Sequence, residues 1–170
     1  MKKIIAMAMG ICLFLALGAK AQTSPVPANY VLKEKTDYTR YSQDVINTID
    51  WLQQTPWSEQ PDLQKQANTF LIAWLTGSPD VSLEITPGVM KLCDKNKSLL
   101  ISYMGGYAKY AMQHKTDFDK NQANLAAVQA VLAKYKSQPD HVSDSYLDNL
   151  MQIQEQGKLD NWITTEFYKS

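Results

Sequence analysis

The stretch Leu99-Leu100-Ile101-Ser102-Tyr103-Met104-Gly105-Gly106-Tyr107-Ala108-Lys109-Tyr110-Ala111-Met112-Gln113-His114 decides the fold. At about 100° per residue, Leu99, Leu100, Tyr103, Tyr107, Tyr110 and His114 share one sector of a helix. Ile101, Met104, Gly105, Ala108, Ala111 and Met112 fill the sector beside it. Only Ser102, Lys109 and Gln113 make a clear polar stripe. A helix that is apolar around most of its girdle belongs at the centre of a helical assembly. Gly105 and Gly106 each cost about 1 kcal/mol relative to alanine inside a helix. Close approach of a neighbouring helix is the expected compensation.

Helical periodicity continues on both sides. Upstream, Tyr38, Tyr41, Val45, Ile49 and Leu52 recur at three- and four-residue steps, and Thr55-Pro56-Trp57 breaks the run. A second stripe holds Leu63, Ala67, Phe70, Leu71, Trp74 and Leu75. Ser58 is the expected N-cap there, and Gly77 the expected left-handed residue past the end. Val81 to Ile85 alternates like a strand, yet no second alternating run exists to pair with it. It reads as an extended connector. Thr86-Pro87 pairs an N-cap with proline at the first helical position, opening a short helix to about Lys95.

Downstream, Asp119 to Lys136 carries Leu125, Val128, Val131, Leu132 and Tyr135 on one face. Ala123, Ala126, Ala127, Ala130 and Ala133 form a small-residue face suited to tight packing. Helices are expected over about Ser143–Gln156, ended by Gly157, and over Leu159–Phe167. The fold class is therefore all-α, an irregular bundle of six to seven helices. A short α-solenoid of helical hairpins is the alternative, although no residue-level repeat supports it.

The first residues read as an export signal. Met1-Lys2-Lys3 is basic, Ile4 to Leu17 is apolar, and Ala19-Lys20-Ala21 is an A-x-A cleavage site, so cleavage is expected before Gln22. The apolar run is shorter than the roughly 20 residues a membrane span needs. Ile11 before Cys12 makes a poor lipidation site. The expected organisation is a signal peptide over 1–21, a flexible tether over 22–36 and one helical domain over 37–170. Pro25 and Pro27, with no clear period around them, suggest the tether. The expected location is the periplasm or the extracellular space.

Composition narrows the function classes. Of the 170 residues, 45% are hydrophobic and 20% charged, which excludes a disordered chain. Seventeen basic residues balance seventeen acidic ones. Loss of Lys2, Lys3 and Lys20 with the signal leaves a mildly acidic chain. Arg40 is the only arginine. No nucleic-acid partner is expected on either count, because phosphate and guanine recognition leans on basic excess and on arginine. Cys93 would be the one remaining cysteine, so no internal disulfide is possible, and its apolar setting suits a buried side chain.

Metal and cofactor motifs are missing. His114 and His141 have no ligand spacing around them, and neither a P-loop nor a dinucleotide fingerprint occurs. No nucleophile elbow is present. The expectation is no metal and no cofactor.

Trp74-Leu75-Thr76-Gly77-Ser78-Pro79-Asp80-Val81, Tyr103-Met104-Gly105-Gly106-Tyr107 and Gly157-Lys158-Leu159-Asp160 resemble segments of small exported bacterial proteins of unassigned function. The resemblance spans about residues 40–162. It implies an exported helical domain and carries no catalytic residue with it.

Two clusters stand out as candidate sites. Tyr103, Tyr107, Tyr110 and His114 form one stripe with Gly106 beside it. Aromatic faces and hydroxyls there suit a small-ligand groove, with Gly106 admitting a ligand to the backbone; a tyrosine-rich packing face is the competing explanation. Trp51 and Trp57 flank the first interhelical turn and would mark a partner surface if exposed. The leading functional expectation is an exported, non-catalytic helical domain that binds another exported or envelope protein. A small-ligand-binding bundle using the tyrosine stripe comes second. An enzyme with carboxylates assembled from separate helices comes third.

Overall fold

The structure is a computed structural model, described over residues 24–169. The expected signal peptide, with Cys12, lies outside the described residues. Among the described residues there are eight α-helices and no strand. They are α1 (Lys35–Arg40), α2 (Ser42–Gln54), α3 (Pro61–Gly77), α4 (Pro87–Leu92), α5 (Leu99–Gln113), α6 (Lys120–Ser137), α7 (Ser145–Glu155) and α8 (Leu159–Thr165). A 3₁₀ turn at Phe167–Lys169 follows.

The helix α5 is central. It packs along α6 and also touches α2, α3 and α4. Neighbours on several sides make a bundle, not a one-dimensional stack of hairpins. Its two glycines explain how. A Cβ on Gly105 would meet Ile49 Cγ2 of α2 at 3.0 Å. A Cβ on Gly106 would meet Ala127 Cα and Ala130 Cβ of α6 at 2.9 Å each. Adjacent glycines, about 100° apart around the axis, thus bring two different helices close to α5.

Helix ends follow local chemistry. Asp119 Oδ1 accepts from the backbone N–H of Asn121 at 2.7 Å and of Gln122 at 3.1 Å, capping α6. Asp144 caps α7 in the same way through the Tyr146 N–H. At the end of α7, Gly157 adopts φ 69°. The Lys158 N–H donates to the Ile153 carbonyl at 3.0 Å and the Gly157 N–H to the Gln154 carbonyl at 2.9 Å, a Schellman stop.

Several boundaries differ from expectation. The first helical run breaks at Tyr41, so α1 and α2 are separate. The third helix starts at Pro61 after Gln60, not after Ser58, because proline at the first helical position presets φ and lacks only an N–H that would have no helical partner. Gly77 is the last helical residue and is not left-handed. It is small because the Tyr38 ring lies over it, where any Cβ would overlap the ring. The last helix gives way to the 3₁₀ turn after Thr165.

Residues 24–34 also depart from the flexible tether expected over 22–36. Tyr30 meets Phe70 edge-on with ring centroids 4.7 Å apart. Thr48 Oγ1 lies 2.9 Å from the Pro25 carbonyl oxygen. Val26, Tyr30 and Leu32 are partly buried against the core. These apolar side chains hold the arm across α2 and α3, and Lys35 already begins α1.

Candidate functional site

The tyrosine stripe of α5 divides into two environments. Tyr103 and Tyr107 are buried. The Tyr103 hydroxyl donates to Asn124 Oδ1 at 2.5 Å, Asn124 Nδ2 donates to the Tyr168 hydroxyl at 2.8 Å, and that hydroxyl donates to Asn121 Oδ1 at 2.8 Å. The cavity beside Tyr103 and Tyr107 measures about 10 Å³, room for no more than one water. Burial pushes both phenols above their ordinary range. Both are packing residues, and the Tyr103 hydroxyl is used inside the protein.

Tyr110 and His114 sit further along. Their rings stack at 4.1 Å, His114 Nδ1 lies 3.2 Å from Asp117 Oδ2, and Phe118 meets Tyr110 edge-on at 6.2 Å. Tyr110 alone of the stripe reaches a sizeable cavity. Gly106 lines that cavity too, although its own constraint is the close passage of α6.

Neither tryptophan of the second candidate cluster is exposed. Trp51 and Trp57 are half-buried against the core. The Trp57 N–H donates to Gln138 Oε1 at 2.7 Å, tying the loop after α2 to the end of α6. Trp51 lies within α2 and packs against the core, and the backbone tie to Gln138 holds Trp57 in the loop beside it.

The cavity that Tyr110 borders is a groove of about 350 Å³ between α2, α5 and α6. Its floor is apolar, with Ile49 and Leu52 from α2, Ile101 from α5, and Ala126 and Ala130 from α6, while the exposed Ala133 stands at the edge. Its rim carries Asp50, Gln53, Lys109 and Gln113. Lys109 Nζ donates to Asp50 Oδ1 at 2.5 Å across the mouth, both side chains being part-exposed. Gln53 Nε2 donates to the Ala130 carbonyl at 2.8 Å, bridging α2 and α6 over the floor.

The groove exists because the alanine face of α6 is used in two ways. Ala123 and Ala127 are buried against α5. Ala126, Ala130 and Ala133 line the groove, with the Ala130 methyl also facing Gly106, and short methyl groups there leave the space beside α2 open. Reading the sequence missed Asp50, Gln53, Lys109 and Gln113 as a set. The available signal was the polar stripe of α5, Lys109 and Gln113, set opposite a run of alanines.

A smaller cavity of about 110 Å³ shares Leu52, Ile101 and Ser102 with the groove. Lys134 reaches it from α6. Its ammonium donates to the carbonyl oxygens of Leu52 at 2.7 Å and Thr55 at 2.5 Å, at the C-terminal end of α2. Burial pulls that amine down to about 8. With these carbonyls as acceptors, the amine serves as a cap for α2.

No two carboxylates share a cavity among those described here. Asp50 stands in the groove, Glu84 beside Tyr103, Asp80 near Phe118 and Asp62 in a cleft under the N-terminal arm. No group of three His, Cys, Asp or Glu side chains that could hold a metal occurs among the described residues. Burial pushes the Cys93 thiol up to about 11, which leaves it a poor nucleophile. No protein-family model, curated protein or solved structure matches the chain.

Proposed function

We propose that the protein is an exported, non-catalytic binding protein that takes a small amphipathic molecule into the α2–α5–α6 groove. The observation that carries this reading is the groove itself, an apolar floor under a rim of four polar side chains. Small-molecule sites have this composition and begin at about 300 Å³. The reading moves the ligand away from the buried Tyr103 and Tyr107, keeping Gly106 and Tyr110 as walls. Export rests on Met1-Lys2-Lys3, the apolar run and Ala19-Lys20-Ala21.

Catalysis finds no support in the groove, where the one carboxylate, Asp50, is held by Lys109. Recognition of a large protein partner finds less support than a small ligand. The exposed large apolar residues, among them Val31, Ile72, Ile85, Met90, Phe118 and Val142, stand on different segments. Single exposed residues of this kind are ordinary on any surface.

A melting-temperature screen of small amphipathic molecules tests the proposal, using the chain from residue 22 and its Ala133→Trp variant. Ala133 is exposed at the groove rim, so the indole closes the groove without entering the core. A ligand at 100 times its Kd adds about 2.7 kcal/mol. For a chain of this size that raises Tm by roughly 5–10 °C. Ligands that raise the melting point of the wild type but not of Ala133→Trp support the proposal. A screen without such ligands, or with equal effects on both proteins, overturns it.

A further inference from the structure

The groove rim carries one acid and one base, and their placement restricts what can bind. Lys109 Nζ and Asp50 Oδ1 are 2.5 Å apart, and their side chains are 33% and 43% exposed. A part-exposed pair of this kind contributes little on its own, so a ligand opens it at small cost. What it then meets is an ammonium from α5 and a carboxylate from α2, side by side above an apolar floor.

A neutral ligand leaves the pair closed and gains only the floor. An anionic ligand takes Lys109 and strands Asp50; a cationic one does the reverse. A molecule with an ammonium and a carboxylate on one carbon replaces both partners at once, and leaves neither charge unmatched. Its substituent then lies over Ile49, Leu52, Ala126 and Ala130. The volume of about 350 Å³ holds roughly a dozen non-hydrogen atoms, at the ~30 Å³ that one water occupies in the liquid. Tyr110 and Gln113 of α5 also line it.

We infer that the groove binds a small zwitterion with an apolar substituent, an aliphatic α-amino acid or a molecule of that chemistry. The ammonium pairs with Asp50 and the carboxylate with Lys109. This inference rests on the groove being a ligand site, as proposed above.

Four probes of similar length separate the two claims: norleucine, hexanoate, hexylamine and 1-hexanol. Their binding is measured by amide chemical-shift titration of the chain from residue 22. Norleucine is expected to bind at least tenfold more tightly than the other three. Asp50→Asn and Lys109→Gln should each weaken norleucine at least tenfold while leaving 1-hexanol unchanged. Equal binding of all four in the groove overturns the zwitterion inference and leaves the groove as a site for apolar molecules. Preference for hexanoate or hexylamine overturns it as well. Failure of every probe to shift groove amides overturns both claims.

Discussion

The ammonium of Lys134, on α6, lies 2.7 Å from the Leu52 carbonyl oxygen, two residues before the end of α2. The same ammonium reaches the Thr55 carbonyl, just past that end. Terminal carbonyls of a helix have no intrahelical donor, and the helix dipole adds partial negative charge there. A lysine that is 2% exposed therefore closes the C-terminus of a neighbouring helix. It also lines the smaller cavity beside the groove.

Lys134→Met should destabilise the protein by about 1–3 kcal/mol at neutral pH, because buried carbonyl oxygens lose their donor. The pH dependence has a definite sign. The folded-state value of about 8 lies below the unfolded one, so the unfolded chain holds the extra proton between them. Stability contributed by the wild-type lysine thus rises from about pH 8 toward pH 10, by at most about 1.4 kcal/mol per unit. Urea unfolding at pH 7.5 and 9.5 should show the wild type gaining on Lys134→Met. A constant gap would refute the assignment.

The buried phenols act in the opposite direction. Tyr103 and Tyr107 keep their protons in the fold above the pH at which unfolded tyrosines lose theirs. Stability should fall as pH rises past about 10. Ultraviolet titration of the native protein should show these two phenols ionising only with unfolding. Removing the Tyr103 hydroxyl, as Tyr103→Phe, leaves Asn124 Oδ1 without that donor and should cost about 1–3 kcal/mol.

Gly106→Ala is expected to be destabilising even though alanine is the better helix former. The added methyl lies 2.9 Å from Ala127 Cα, a backbone atom that moves only with the whole of α6. Overpacking of about 1–3 kcal/mol outweighs the roughly 1 kcal/mol gained in propensity. A lower urea midpoint with an unchanged slope is the expected result.

The N-terminal arm should behave as part of the fold. Tyr30→Ala removes the ring that meets Phe70 and should lower stability by about 1–2 kcal/mol. Limited proteolysis should spare residues 25–34 in the wild type and cut there in the variant. Early cutting of the wild type would restore the tether that Pro25 and Pro27 suggest.

Most of the fold was legible because helix formation leaves period and punctuation in the chain. The girdle of α5, Thr86-Pro87, Asp119 and Gly157 each marked an element through a local rule. The break at Tyr41 was not legible, since Tyr38, Tyr41 and Val45 keep helical spacing across it. Nor was the packing of Tyr30 on Phe70, which joins residues forty apart in sequence. The candidate site shows the same division. Tyr110 and Gly106 stand out within α5 itself, but Asp50 and Gln53 lie on α2 and Ala126 and Ala130 on α6. Their approach to Lys109 is a product of the glycine-mediated crossings, and no local pattern records it.

The central claim is that the α2–α5–α6 groove is a ligand site. Amide chemical-shift mapping with norleucine tests it most directly. The account predicts that the shifted amides cluster at Ile49, Asp50, Gln53, Gly106, Lys109 and Ala130, and that Ala133→Trp abolishes the shifts. Shifts spread over the surface, or shifts unchanged in Ala133→Trp, would contradict it.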